Sequence, residues 1–136
     1  LDGMLRNPQN QLESLNLEYT GLEDHHLIAL ANLLPASKVK SLHFKFNKIQ
    51  SHGLLEFTRR IPKMTFMTKI SLSWNPWESS PLEVREECGK ALLCATMENP
   101  CFTWVDELRG FPQRDRLCHQ LALNRTLRKL LKPYRR

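Results

Sequence analysis

One apolar pattern recurs three times along this chain, at spacings of 27 and 28 residues. Leu12, Leu15, Leu17, Thr20 and Leu22 form the first copy; Val39, Leu42, Phe44, Asn47 and Ile49 the second; Met67, Ile70, Leu72, Asn75 and Trp77 the third. Each copy is too short to enclose its own apolar side chains, so it must bury them against its neighbours. The register also predicts where the other side chains point. One place before each Thr or Asn stand Tyr19, Phe46 and Trp74. A column of three aromatics at equivalent positions, set on strands about 4.7–4.9 Å apart, predicts a continuous row of rings.

Between the copies the apolar residues change to a helical period. Leu27, Leu30 and Leu34 share one face of a helix expected from Asp24, as its cap, to Leu34, where Pro35 stops it. A second helix is expected from Ser51 to Ile61, ended by Pro62. The third has the strongest signal: Ser80-Pro81-Leu82-Glu83 reads as a capping box with Pro at the first helical position, and Asn99-Pro100 closes the helix. Beyond residue 100 the pattern decays. Phe102, Trp104 and Val105 suggest a fourth strand, with Asp106 or Glu107 awkwardly near an inward position. Asp115 to Leu123 reads as a helix with Leu117, Gln120 or Leu121, and Ala122 inward, after which Leu127 and Leu130 restart the motif.

Apolar-x-x-apolar-x-apolar-x-x-(Thr/Asn)-x-apolar is a leucine-rich-repeat signature. With 27–28 residues per unit and a helix in each, residues 12–98 resemble the ribonuclease-inhibitor-like subclass, as in ribonuclease inhibitor, NOD-like receptor sensor domains and bacterial effectors. Ala91 to Cys101 resembles the helix end of a NOD-like receptor repeat. The resemblance implies an α/β solenoid, a right-handed β-α superhelix with parallel strands on the concave face and helices on the convex face. It divides the chain into residues 1–99, with repeats starting at 12, 39 and 67 after the end of an earlier repeat, and residues 100–136, a degenerate repeat and C-terminal cap.

Charge is uneven. Of 20 Lys and Arg, six lie beyond residue 124, where none of the 14 Asp and Glu falls, so the net charge of +6 belongs to the tail. That tail reads as a solvated amphipathic cap, with nucleic-acid or acidic-lipid binding as the alternative. No apolar run approaches the roughly 20 residues of a membrane span. Cys88, Cys94, Cys101 and Cys118 form no Cys-x-x-Cys pair and are expected to be buried free thiols in a reducing compartment, with a disulfide or metal site as the lesser reading. The expected location is the cytoplasm, or the nucleus, or the host cytosol for a bacterial effector. The sequon Asn124-Arg125-Thr126 matters only in a secreted protein.

No catalytic motif is present: there is no glycine-rich phosphate loop, no His-Glu-x-x-His and no Gly-x-Ser-x-Gly. His25-His26 reads as a solvated helix start, and Cys118-His119 are neighbours on a helix whose side chains diverge. The expectation is a non-enzymatic protein-interaction module with no cofactor, no metal and no small-molecule substrate. Its binding residues are expected to be Tyr19, Phe46 and Trp74, with His43, Lys45 and Lys69 as polar neighbours, because aromatics give large contact area at low entropic cost. The neighbouring column of Glu18, Lys45 and Ser73 has no single charge sign, which argues for a protein rather than a polyanion.

Overall fold

The computed structural model describes residues 12–131. The end of an earlier repeat expected before residue 12 lies outside the described residues, as do Lys132, Arg135 and Arg136 of the basic tail. Four short strands, β1 (Ser14–Asn16), β2 (Ser41–His43), β3 (Lys69–Ser71) and β4 (Trp104–Val105), form one parallel sheet in sequence order. Leu15, Leu42, Ile70 and Val105 stand in register across it. Each strand is followed by a helix: α1 (Asp24–Leu33), α2 (Ser51–Thr58), α3 (Leu82–Glu98) and α4 (Arg114–Leu131). The helices pack in sequence order, α1 on α2, α2 on α3 and α3 on α4.

The sheet and helices close over one apolar cluster. Val39, Leu42, Phe44 and Ile49 of the second unit, and Met67, Ile70, Leu72 and Trp77 of the third, are all buried. Leu12, Leu15, Leu17 and Leu22 of the first are only partly buried, against the expectation that Leu15 would be fully enclosed. The reason is positional: among the described residues β1 has a partner strand on one side alone.

At the other edge the unit changes character. The in-register offset grows from 27 and 28 residues to 35 between Ile70 and Val105, and β4 has only two residues. The buried Trp77 indole then stacks on Phe111 at 4.6 Å, and Leu117 and Leu121 of α4 complete the core. Among the described residues the sheet ends at β4, so the expected solenoid is corrected to a small α/β domain whose described part has four parallel strands and four α-helices.

Helix boundaries differ for local reasons. Pro35 and Pro62 do not stop α1 and α2 abruptly; each sits in a short 3-10 turn, Leu34–Ala36 and Ile61–Lys63, that follows its helix. The Ser80-to-Glu83 capping box does not form. The capping box lies five residues earlier, between Asn75 and Glu78, and organises a 3-10 turn over Pro76–Ser79. Nor does the motif restart at Leu127: nothing from Arg114 to Leu131 breaks a helix, and α4 runs through all 18 residues. Ala122 is exposed; Leu117, Leu121 and Asn124 face in.

Asparagines tie successive units together. Asn47 Nδ2 donates to the carbonyls of Leu17 (2.8 Å) and Phe44 (3.0 Å), and its Oδ1 accepts from the amides of Thr20 (3.1 Å) and Leu22 (2.9 Å). Asn75 repeats this one unit on, bonding the carbonyls of Phe44 and Leu72 and the amide of Ile49. At the helix ends Asn99 donates to Ile61 and Met64, and Asn124 to Thr96 and Phe102. The sequon asparagine is thus a buried structural residue, 1% exposed. Asp24 spans units in the same way. Instead of capping its own helix, it accepts from the amides of Gln50 (2.7 Å) and Gly53 (3.0 Å) at the start of α2.

This packing predicts a graded response to truncation. Leu42→Ala, at a fully buried position, is expected to cost about 2–5 kcal/mol in urea unfolding. Leu15→Ala, at the partly buried equivalent, is expected to cost clearly less; equal losses would contradict the difference in burial.

Candidate functional site

The column of aromatics forms a row. Tyr19 and Phe46 stack with ring centroids 4.4 Å apart and planes 8° from parallel; Phe46 and Trp74 follow at 5.7 Å and 7°. Tyr19 is 72% exposed, Phe46 37% and Trp74 68%. All three have left-handed backbones, with φ of 56°, 59° and 61°. They are the only non-glycine residues in that region among the described residues. A side chain with a Cβ pays about 1–2 kcal/mol for this conformation, and an aromatic gains nothing locally in return.

The surroundings explain how the turn is held. Past β1 and β2 the parallel ladder continues into the row: Leu17 N–H donates to His43 and Tyr19 N–H to Lys45, while Phe44 N–H donates to Ser71 and Phe46 N–H to Ser73. The third unit has no such carbonyls to reach, because β4 is short. Carboxylates replace them. Asp106 accepts from Leu72 N–H (2.7 Å), from Ser73 N–H (3.2 Å) and from the Ser73 hydroxyl, and Glu78 accepts from Trp74 N–H (2.6 Å). Asp106, awkward in the repeat pattern, has a side chain only 6% exposed and supports the backbone that carries Trp74.

Of the polar neighbours expected beside the row, Lys45 lies close to it, with Nζ 4.0 Å from Asp106. His43 stands on the sheet face with its Nδ1 3.5 Å from Ser71 Oγ. Lys69 is not brought to the row. It begins β3, at the far end of the strand, opposite Ser41 and Trp104. Trp104, 40% exposed, is a surface aromatic the repeat spacing could not align, because the offset of its strand is 35 residues. Beyond Trp74 lies a recess of about 560 Å³ that also includes Glu78, Arg85, Glu107 and Arg109. Arg85 is clamped there by the carbonyls of Ser80 (2.9 Å) and Gly110 (3.0 Å). Glu107 is held below the usual carboxylate range, first by the backbone N–H of Arg109 and also by its guanidinium.

Catalytic geometry is not assembled by these groups. Ser71 and His43 come closest to a nucleophile–base pair, but Ser71 is 3% exposed and no described carboxylate is seen to orient His43. Glu23, His25 and His26 place donor atoms within 4.8 Å of one another, all exposed. The His26 Nδ1 lone pair, however, accepts from Glu23 N–H (3.0 Å) as part of the cap of α1. The thiols differ from expectation: only Cys88 is buried, Cys101 is half-buried, and Cys94 and Cys118 lie on solvent-facing sides of their helices. No described helix is long and apolar enough to cross a membrane.

Two of the solved structures that share the fold are informative. Leiomodin-1 actin-binding site 2 matches over 90% of this chain and 69% of that one, with a TM-score of 0.75 and 21% identity. The C-terminal domain of Caenorhabditis elegans tropomodulin matches over 98% of this chain and 96% of that one, with a TM-score of 0.77 and 14% identity. At such identities the likeness is one of fold. No protein-family model and no curated protein matches the chain. These neighbours overturn the expected family. The domain has the fold of the tropomodulin and leiomodin domains rather than a ribonuclease-inhibitor-like leucine-rich-repeat solenoid, and the likeness to NOD-like receptor sensors and bacterial effectors falls with it.

Two outcomes follow from this geometry. Asp106→Ala removes the acceptor of two backbone N–H groups and is expected to cost about 1–3 kcal/mol in urea unfolding. Cys88 donates weakly to Ser51 O, and burial, reinforced by Glu87, raises its thiol from 9.0 to about 11. It should stay unreactive to Ellman's reagent at pH 8 in the folded protein while Cys94 and Cys118 react. Because the unfolded chain ionises this thiol first, its contribution to stability is complete below pH 9.0 and lost as pH rises toward about 11. Pulse-proteolysis stability measured across that window checks the sign.

Proposed function

We propose that this domain is a non-enzymatic protein-binding module that contacts its partner through the row Tyr19–Phe46–Trp74, with Lys45 and His43 as polar neighbours. One observation carries the reading: three exposed aromatics held in stacked register on left-handed backbones. A structural role would call for Gly or Asn there, which adopt that conformation at lower cost. Each ring lies against the next, so the partner meets ring edges along the row and the outer face of Trp74 at its end. Aromatic anchors of this kind dominate binding energy in protein interfaces.

Actin is the candidate partner, because one domain of the same fold is actin-binding site 2 of leiomodin-1. The test is co-sedimentation with filamentous actin and cross-linking to monomeric actin. Trp74→Ala and Phe46→Ala should each cost more than about 1–2 kcal/mol of binding. Trp74→Gly separates binding from folding. It should lose binding as Trp74→Ala does, yet be at least as stable, because glycine accepts a φ of 61° freely. Full binding by a Tyr19, Phe46, Trp74 triple alanine variant would remove the row from the interface. Failure of the parent domain to bind either form of actin would remove actin as the partner.

A further inference from the structure

The second half of α4 carries an uncovered apolar stripe. Its docked face is Leu117, Leu121 and Asn124, packed toward the core; beyond Asn124 no described residue of the helix is buried. The last seven residues, Arg125 to Leu131, therefore stand roughly 10 Å past the final buried position. Leu123, Leu127, Leu130 and Leu131 recur at i, i+4, i+7 and i+8 and are 43%, 37%, 66% and 50% exposed. At 3.6 residues per turn they fall within an arc of about 100°, centred about 100° from the docked face. Near Leu123 the stripe meets a groove between α3 and α4 formed by Leu93, Met97, His119 and Gln120, where Met97 is 59% exposed. Four exposed leucines along one helix face, with Met97 of α3 beside them, are more apolar surface than solubility favours.

Away from the stripe the helix is cationic: Lys129 lies about 150° from its centre, and half-buried Arg128 flanks it at about 110°. Asp115 is the last acidic residue of the sequence, and Arg125, Arg128 and Lys129 follow on the helix. Among the described residues Arg128 and Lys129 have no ion-pair partner, and Arg125 spends one guanidinium nitrogen on Thr103 O (2.8 Å).

We propose that the C-terminal half of α4 docks on anionic lipid bilayers, its leucine stripe entering the interfacial layer while Arg128 and Lys129 reach lipid phosphates. A helix with leucines on one face and unpaired Lys and Arg on the other has the composition of an interfacial membrane helix. Nucleic acid fits less well. α4 has no Phe, Tyr or Trp on which a base could stack, and phosphate contacts alone would leave the leucines in water. An acidic protein fits less well too, since past Asn124 the stripe is a ridge with no buried walls to seat a partner helix. The proposal does not involve Tyr19, Phe46 or Trp74 and stands apart from the partner-binding reading.

Sedimentation with large unilamellar vesicles of phosphatidylcholine, with and without about 30 mol% phosphatidylserine, tests it on the full chain. The expected result is binding to the phosphatidylserine vesicles that weakens with added salt. It should fall roughly tenfold or more when Leu127, Leu130 and Leu131 are changed together to Gln, and comparably for Arg128→Gln with Lys129→Gln. Unchanged thermal unfolding of both variants confirms that the folded domain is being compared. Three results would overturn the proposal: no sedimentation with phosphatidylserine vesicles at low salt, leucine variants that bind as the parent does, or equal retention on polyglutamate beads, which would indicate charge attraction alone.

Discussion

The structure depends on a side-chain amide placed where each strand turns away from the sheet. At that bend the backbone leaves the ladder, and its carbonyls and amides would be buried without partners. Asn47 and Asn75 supply both donor and acceptor from one side chain and do so across units, bonding the loop before them as well as their own. A buried polar group left unpaired costs about 1–3 kcal/mol, so one asparagine secures several times that from loss. The first unit shows the limit of the substitution. Thr20 closes its own turn on Leu17 O (2.7 Å), but it relies on Asn47 to reach the amides.

The same bend explains the aromatic row. The residue before Thr20, Asn47 and Asn75 takes a left-handed backbone to leave the strand, and in all three units that residue has a large flat side chain. Stacking at 4.4 and 5.7 Å returns part of the conformational cost, since offset aromatic pairs contribute about 0.5–1.5 kcal/mol each. The remainder is carried by the hydrogen bonds that hold the three turns. Structural constraint and proposed binding surface thus share the same three residues.

The last unit shows how a repeating design ends. With β4 reduced to Trp104–Val105, the amides of Leu72, Ser73 and Trp74 face a missing strand, and the carboxylates of Asp106 and Glu78 stand in for its carbonyls. Trp77, Phe111 and the inward face of α4 seal the core beside them. Sealing uses only the first part of α4, which leaves Leu127, Leu130 and Leu131 exposed.

What the sequence determined by itself was everything that repeats. The spacing of Leu42, Ile70 and their equivalents, the alternation of strand and helix, and the aromatic column were all legible, because equivalent residues in stacked units meet equivalent neighbours. The sequence did not reveal what depends on contacts between non-equivalent residues. Asp106 looked misplaced until the shortened β4 set it against two free amides, and Ser80 looked like a helix cap until Asn75 and Glu78 formed that box instead. Cys94 and Cys118 looked buried because apolar neighbours in sequence need not be neighbours across a helix. Only tertiary structure decided that the described sheet ends at its fourth strand in a small domain, since closure rests on Trp77 of the third copy meeting Phe111, 34 residues on and outside the repeats.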